Sequence, residues 1–373
     1  VRVAIIAECF LPEVNGVTNS VLRVIEHLER CGHNALVIAP GCGPASYRST
    51  PVERIPAVRL PVYKTMSVGL PTGQVRHLLA EFDPDVVHLA APAVLGAAGA
   101  RAARLQGIPT LAVYQTDLAG FARQYGFGVA SPLLWRWLRW IHDQTDLTLA
   151  PSTPAMWELR RHRIGPVAHW ARGVDLERWH PHHRSELLHR RLAQAGETLI
   201  GYVGRLGKEK QIHQLRHLRR LPGARLVVVG DGPARAELEA QLPGVKFLGF
   251  QTGAELSQTV ASLDVMVHTG VDETFCQSIQ EAMAAGVPVV APASGGPLDL
   301  IHHGENGWLY PAAKPRLLRG AVEALVKDPV LRKAMGERAR ASVERRTWQA
   351  IGDELIAYYA HLTGLDERSR RAA

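Results

Sequence analysis

Glu273 and Glu281 stand eight residues apart and frame Glu-Thr-Phe-Cys-Gln-Ser-Ile-Gln-Glu, which runs directly into Ala282-Met283-Ala284-Ala285-Gly286. The apolar positions Ile279, Ala282 and Met283 predict a half-buried helix over 275–285, with Glu273 or Thr274 near its N-cap. One carboxylate then precedes the helix and the other lies two turns inside it. Amides at Phe275, Cys276, Gln277 and Ser278 have no intrahelical acceptor, so they can donate to phosphate or sugar oxygens at the positive end of the helix. Glu273 is placed to accept from sugar hydroxyls and Glu281 from ribose hydroxyls, as acids do in other nucleotide sites. The plain alternative is surface charge on both sides of a helix, against which the apolar neighbours weigh.

Cations that could serve the same ligand lie upstream. Arg205 and Lys210 are five residues apart across the turn after Gly201-Tyr202-Val203-Gly204 and could converge on one anion. A departing diphosphate needs such partners, because negative charge grows on it as the bond breaks; a solvated basic turn is the competing reading. Gly16 opens the helix after the first strand, where a glycine lets backbone approach a phosphate, though an ordinary strand–helix turn reads the same. Asp117 is either an acceptor-side group or the N-cap of a helix over 118–123. Gly230-Asp231-Gly232-Pro233 reads as a strand–helix turn. His180-Pro181-His182-His183 lacks a third ligand class and is read as non-metal. In Leu133-Leu134-Trp135-Arg136-Trp137-Leu138-Arg139-Trp140, three tryptophans and two arginines fit an ordinary amphipathic helix or an interfacial, lipid-facing one.

Short runs rich in Val, Ile and Leu at 1–7, 34–39, 85–90, 109–114 and 146–150 predict buried parallel strands, with helices over 17–30, 73–81, 93–106 and 131–142 between them. A second set has strands at 198–204, 225–230, 246–249, 263–268 and 287–291, and helices over 209–220, 233–241, 253–261, 275–285 and 315–326. This alternation predicts two doubly wound α/β domains, 1–172 and 173–346, joined near the His-, Arg- and Pro-rich stretch 168–195. Ligands of such sheets bind at the carboxyl ends of the strands, so two facing domains would line a cleft.

The composition agrees. At 373 residues the chain exceeds what one core usually serves. Its formal net charge of +8 is divided evenly, with 16 basic and 12 acidic side chains in residues 1–170 and 27 and 23 in the rest. Nucleic acid would want a concentrated stripe, whereas a spread excess suits anionic substrates and a peripheral contact with an anionic membrane. The four cysteines show no metal-type pairing and are read as reduced and cytosolic. No apolar run reaches membrane-spanning length, and Val3–Ala7 is too short for a signal peptide. The expected location is the cytoplasm, at the inner face of the plasma membrane for a membrane-contacting form.

Arg205-x4-Lys210, Glu273-x7-Glu281, Ala282-Met283-Ala284 and Gly295-Gly296-Pro297 together resemble the retaining glycosyltransferases of family four, with the GT-B fold of two facing Rossmann-like domains. The resemblance spans nearly the whole chain. Pro12-Glu13-Val14-Asn15-Gly16-Val17, Tyr114-Gln115-Thr116-Asp117, Trp170-Ala171-Arg172-Gly173-Val174-Asp175 and Val228-Val229-Gly230-Asp231-Gly232 look most like actinobacterial GDP-mannose-dependent α-mannosyltransferases of glycolipid synthesis. They are also similar to sulfolipid synthases that use a UDP-sugar.

The resemblance implies roles. Gly16 contacts donor phosphates through its amide, Arg205 and Lys210 neutralise the diphosphate, and Glu273 holds the sugar hydroxyls. Thr274, Phe275, Cys276, Gln277 and Ser278 line the donor, Glu281 takes the ribose, and Phe250 lies in the segment that holds the base. Gln115 stands where many relatives place a histidine near the donor sugar and acceptor. Cys276 stands where many have glycine. A C-terminal segment, 347–373, is expected to cross back to the acceptor-binding first domain. The expected reaction is hexosyl transfer, mannose from GDP-mannose, to a glycolipid or similar hydroxyl, with retention and with neither metal nor cofactor. The alternatives are a UDP- or other NDP-sugar transferred to a small natural product or sulfolipid-type acceptor, phosphorolysis of a glycoside, and an inactive binding module.

Overall fold

A computed structural model describes residues 1–60, 63–70, 73–117, 120 and 131–364. They form two compact α/β units. The first combines residues 1–117, 131–172 and 348–364; residues Gly173–Thr347 make the body of the second.

In the first unit the strands are β1 (Arg2–Ala7), β2 (Asn34–Pro40), β3 (Ser46–Tyr47), β4 (Thr50–Ile55), β5 (Ala57–Leu60), β6 (Tyr63–Gly69), β7 (Val86–Ala90), β8 (Thr110–Val113), β9 (Leu147–Ala150) and β10 (Val167–His169). The main sheet runs β10-β9-β8-β7-β1-β2-β4-β3, parallel except at the β3–β4 edge, and β5 and β6 form a separate antiparallel ribbon. Chain order reverses between β1 and β7, where Ile5 sits opposite His88. Residues Val3–Ala7 are wholly buried, as expected of a parallel strand covered on both faces. On one face, Ala4, Ile6, Val87 and Leu89 pack against Leu79, Leu95 and Ala100. On the other, His88 Nδ1 meets the Tyr359 hydroxyl at 2.6 Å, and Trp170 Nε1 donates to the Ile351 carbonyl at 2.9 Å. Those two bonds fix the C-terminal helix Trp348–Thr363 on the first unit.

The second unit holds β11 (Thr198–Val203), β12 (Ala224–Val229), β13 (Lys246–Gly249), β14 (Val265–Val267), β15 (Val289–Pro292) and β16 (Gly307–Tyr310), all parallel, in the order β13-β12-β11-β14-β15-β16. Here the order reverses between β11 and β14. Its core joins Ile200, Val228, Val267 and Val290 to Leu215, Leu238, Leu318, Val322 and Met335.

Three expectations are corrected. The stretch 209–220 is not an α-helix but two 3₁₀ pieces, Lys208–Lys210 and Ile212–Leu218, separated by Gln211 in left-handed conformation (φ 49°). A left-handed residue cannot continue an α-helix. The helix expected over 275–285 begins two residues late, at Gln277, and ends at Ala284. Its N-cap is Cys276, also left-handed (φ 82°, ψ 77°), so neither Glu273 nor Thr274 caps it, and Glu281 lies one turn inside it rather than two. The region Ser46–Gly69, where local pattern predicts no element, holds four strands.

Candidate active site

The loops after β11 and β14 flank the strand-order reversal of the second unit, the position where open α/β sheets bind ligands. Lys210 ends the first loop, whose backbone is held by Thr269 Oγ1 donating to the Lys210 carbonyl at 2.6 Å. Glu273 comes from the second. Lys210 Nζ donates to Glu273 Oε1 at 2.7 Å, and His268 Nε2 lies 3.2 Å from the same oxygen. His268 follows β14 directly and is 2% exposed. Its ring stacks on Tyr202, and Cys276 Sγ lies 3.6 Å from Nδ1 and 3.7 Å from Nε2.

The electrostatics follow from this packing. Desolvation alone would lift the Glu273 carboxyl; Lys210 and His268 overcome it and hold the group far below the ordinary carboxylate range. Desolvation would likewise depress Lys210, but the Glu273 charge outweighs it and raises the ammonium. For His268, burial is again the largest effect and pulls the imidazole down; Cys276 and Glu273 together reverse it and raise the pKa to about 10. The cluster therefore carries Lys210 and His268 as cations and Glu273 as an anion at neutral pH.

Two glycines shape the backbone here. A Cβ on Gly296 would meet the Phe275 carbonyl oxygen at 2.1 Å, and one on Gly295 would meet the Glu273 carbonyl oxygen at 2.4 Å. The Gly296 amide instead donates to that Glu273 oxygen at 2.7 Å. The loop after β15 thus clamps the segment Glu273–Phe275 and sets the start of the helix Gln277–Ala284. Gln277 and Ser278 occupy its first turn, where amides lack intrahelical acceptors. The Gln277 side chain is committed elsewhere, donating to the Gly173 carbonyl at 2.9 Å. Phe275 is buried, and Thr274 and Glu281 are half-buried.

Arg205 is not part of the Lys210–Glu273 contact. It is half-exposed and pairs with Glu209 at 3.4 Å. Its loop is braced by the Gly230–Gly232 turn, where the Leu206 amide donates to the Asp231 carbonyl and Asp231 Oδ1 accepts from the Gly232 amide. Phe250 follows β13 and is 72% exposed, unusual for a phenylalanine at a sheet end.

In the first unit, Gly16 is the first residue of the helix Gly16–Arg30, capped by the Asn15 side chain. A Cβ there would meet nothing within 4 Å. Arg172 reaches both Gly16 and Gln115: Nη1 donates to the Gly16 carbonyl at 3.4 Å and Nη2 to Gln115 Oε1 at 2.5 Å. Burial lowers the Arg172 pKa to about 10, still a cation at neutral pH. Asp117 Oδ1 accepts from the Tyr114 hydroxyl at 3.3 Å; the helix it was expected to cap lies outside the described residues.

Sequence reasoning missed His268 and Arg172. His268 looks like a core residue in the run Val265-Met266-Val267-His268; its place at the carboxyl end of a predicted parallel strand was the available signal. Arg172 stood inside the quoted Trp-Ala-Arg-Gly segment, but only the fold brings it to Gln115. Among the described residues, His268, Glu273 and Cys276 place ligand atoms within 4.8 Å of one another, as do His27, Cys31 and Asp353. The His180–His183 stretch is a 3₁₀ turn in which His180 accepts from the His182 amide. No helix of the described residues is long and apolar enough to cross a membrane.

Comparison with known proteins gives the family. Residues 14–178 match the family described as Glycosyltransferase Family 4, and residues 184–342 match Glycosyl transferases group 1. The chain is 48% identical to the GDP-mannose-dependent alpha-mannosyltransferase of Mycolicibacterium smegmatis, with all of both chains covered. It is 46% identical to the Mycobacterium tuberculosis protein of the same name, covering all of this chain and 99% of that one. Among solved structures, sucrose-phosphate synthase from Thermosynechococcus elongatus superposes with a TM-score of 0.78 at 19% identity, covering 98% of this chain and 99% of that one, a likeness of fold. On the end-to-end identity and the two family matches, the chain belongs to the family-4, group 1 glycosyltransferases, with the GT-B fold of two Rossmann-like units.

Proposed function

We propose that this glycosyltransferase moves mannose from GDP-mannose to a hydroxyl of a glycolipid-type acceptor, with retention at the anomeric carbon. The observation that carries a nucleotide-sugar site is the Lys210–Glu273 pair, 2.7 Å apart at the strand-order reversal and just before a half-buried helix start. The choice of mannose and GDP rests on the mycobacterial enzymes of that name.

In this reading the diphosphate lies against the Gln277 and Ser278 amides, and Arg205 and Lys210 neutralise it as charge develops. Arg205 exchanges its exposed partner Glu209 for the phosphate, a small loss because exposed pairs contribute little. Glu273 takes the sugar hydroxyls, held as a carboxylate by Lys210 and His268. Thr274, Phe275 and Cys276 shape the wall, Glu281 takes the ribose, and the exposed Phe250 ring offers a stacking face for the base. Gly16 leaves room where its own surroundings would tolerate a side chain, which fits approach by a phosphate. The acceptor hydroxyl attacks on the face the phosphate leaves. The bond from anomeric carbon to phosphate oxygen breaks, the glycosidic bond forms, and the leaving oxygen takes the hydroxyl proton. Gln115, held by Arg172, and Asp117 are assigned to the acceptor side in the first unit. We assign neither metal nor cofactor to the transfer, since the cations and amides supply the neutralising charge.

We place the enzyme on the cytoplasmic face of a membrane. Leu133, Trp137 and Trp140 are exposed on the helix Ser131–His142, with Trp137 and Trp140 stacked at 4.9 Å. Trp140 shares a cavity of ≈450 Å³ with Arg101, Arg104, Leu105, Asp143 and Gln144. Tryptophans among arginines suit an anionic lipid surface.

The test is transfer from labelled GDP-mannose into a lipid extract, with the anomer of the product read by NMR. An α-mannoside supports the reading; a β-mannoside, or transfer from a UDP-sugar in preference, overturns it.

A further inference from the structure

Arg172 and Gln115 meet at the carboxyl ends of the first unit's strands, Gln115 two residues after β8 and Arg172 three after β10. Both are buried, at 8% and 7% exposure. Arg172 Nη2 donates to Gln115 Oε1 at 2.5 Å, and Nη1 of the same guanidinium donates to the Gly16 carbonyl at 3.4 Å. Holding a cation in the interior costs desolvation, which lowers the Arg172 pKa to about 10. A purely architectural link between two oxygens needs only neutral donors.

The contact decides the polarity of Gln115. A guanidinium has donors only, so it claims the amide oxygen. What Gln115 offers any other group is then its Nε2 NH2, which donates hydrogen bonds and cannot take a proton. The positive charge at the oxygen polarises the amide and makes its N–H groups better donors. On the acceptor side such a group has a definite use. The attacking oxygen must present electron density to the anomeric carbon, and in the transfer written above its proton goes to the leaving phosphate oxygen. An N–H donating to that oxygen would make it a poorer nucleophile. The amide is suited instead to a neighbouring oxygen of the acceptor, one that accepts a hydrogen bond and does not react.

We propose that Gln115 is a specificity residue that donates its NH2 to a non-attacking oxygen of the acceptor, and that Arg172 is the positioning residue that fixes this polarity. The role of Gln115 rests on its acceptor-side assignment above, whereas its polarity rests on the Arg172 contact alone. Gln115 then sets which acceptor is held and not how the proton leaves.

Gln115→Glu in the full-length protein tests the polarity, because glutamate keeps one oxygen on Arg172, now as an ion pair, and puts a second oxygen where the NH2 stood. With GDP-mannose saturating and the lipid extract as acceptor, the amount of extract giving half-maximal rate should rise about tenfold or more, while the maximal rate stays within about threefold. An unchanged half-saturation, or a loss confined to the maximal rate, overturns the role of Gln115. Arg172→Lys keeps the charge but not the two-pronged donor, and should raise the half-saturation about threefold or more. In a Gln115→Ala background the same substitution should add less than about twofold, because Arg172 acts through Gln115. Equal rises in both backgrounds, as a merely structural arginine would give, overturn the positioning role. Preferred transfer from a UDP-sugar sinks the donor reading, and the same comparison made with that sugar still decides the role of Gln115. Absence of transfer from any nucleotide-sugar overturns both.

Discussion

Glu273→Gln keeps the shape of the side chain and removes its charge, and its consequences can be worked from two distances. One oxygen, Oε1, now faces Lys210 Nζ at 2.7 Å and His268 Nε2 at 3.2 Å. The buried histidines His88 and His142 show what desolvation alone does, with pKa values lowered to about 3 and about 4. His268 stands instead at about 10, a rise from the ordinary 6.5 that corresponds to ~5 kcal/mol in favour of the imidazolium. Cys276 shares in that rise, and a carboxylate at contact accounts for about 1–3 in pH of it. In the glutamine variant His268 should therefore titrate lower by that amount. Removing one partner of a buried pair costs about 3–5 kcal/mol. We expect the lower end, because Lys210 is partly exposed and can turn to water, whereas His268 cannot.

The sign with pH follows. A histidine whose folded pKa is raised gives its full stabilisation below pH 6.5 and loses it as the pH climbs through about 10. Wild-type stability should decline at up to ~1.4 kcal/mol per pH unit across that window, and the slope should flatten in Glu273→Gln. The depressed Glu273 carboxyl contributes in the opposite sense, present above its ordinary 4.5 and lost as the pH falls. Imidazole-nitrogen NMR gives the titration, with a His268→Gln sample to assign the resonance. Urea denaturation from pH 6 to pH 10 gives the stability. An unmoved His268 midpoint, or equal stability of variant and wild type at pH 7, would refute the electrostatic reasoning.

Two further perturbations test the scaffold and the surface. Gly296→Ala drives a Cβ into the Phe275 carbonyl and should destabilise the protein by about 1–3 kcal/mol and weaken nucleotide binding; a thermal-shift profile matching wild type, with and without GDP, would contradict the clamp. Trp137→Ala should lose binding to anionic phospholipid vesicles, while Trp157→Ala, equally a loss of an exposed indole, should keep it; equal sedimentation of the two variants with vesicles counts against the helix Ser131–His142 as the lipid face.

Much of the fold could be read from local pattern. Runs such as Val3–Ala7 and Val227–Val229 are apolar throughout because parallel strands are covered on both faces, and that marks them without tertiary knowledge. The strand Thr50–Ile55 is hard to see in sequence because its exposed positions carry proline and charge, at Pro51 and Glu53, which dilutes any period. The stretch 209–220 has helical composition, and left-handed Gln211 and Arg220 interrupt it, a choice that local propensity does not encode. The candidate site shows the same division. Residue type and spacing pointed to Glu273, Lys210 and the helix after them, since charge beside an apolar periodic segment is visible in one dimension. His268 and Arg172 matter through contacts 5 and 57 residues away in sequence, to Glu273 and Gln115, and a histidine ending an apolar strand looks like core until its neighbours are known. The late start of the helix had the same cause: the cysteine at positive φ follows a segment, Glu273–Phe275, on which the Gly295–Gly296 loop packs, a tertiary contact that its own preference does not encode.

Isothermal titration of GDP-mannose into wild type, Lys210→Ala and Arg205→Ala tests the donor grip most directly. Loss of a charge-assisted contact of ~1.5–3 kcal/mol should weaken Kd by about 10-fold to 150-fold in each variant, with transfer at saturating donor also much reduced. Affinity and saturated rate both near wild type in the two variants would contradict the claim that these cations hold the diphosphate.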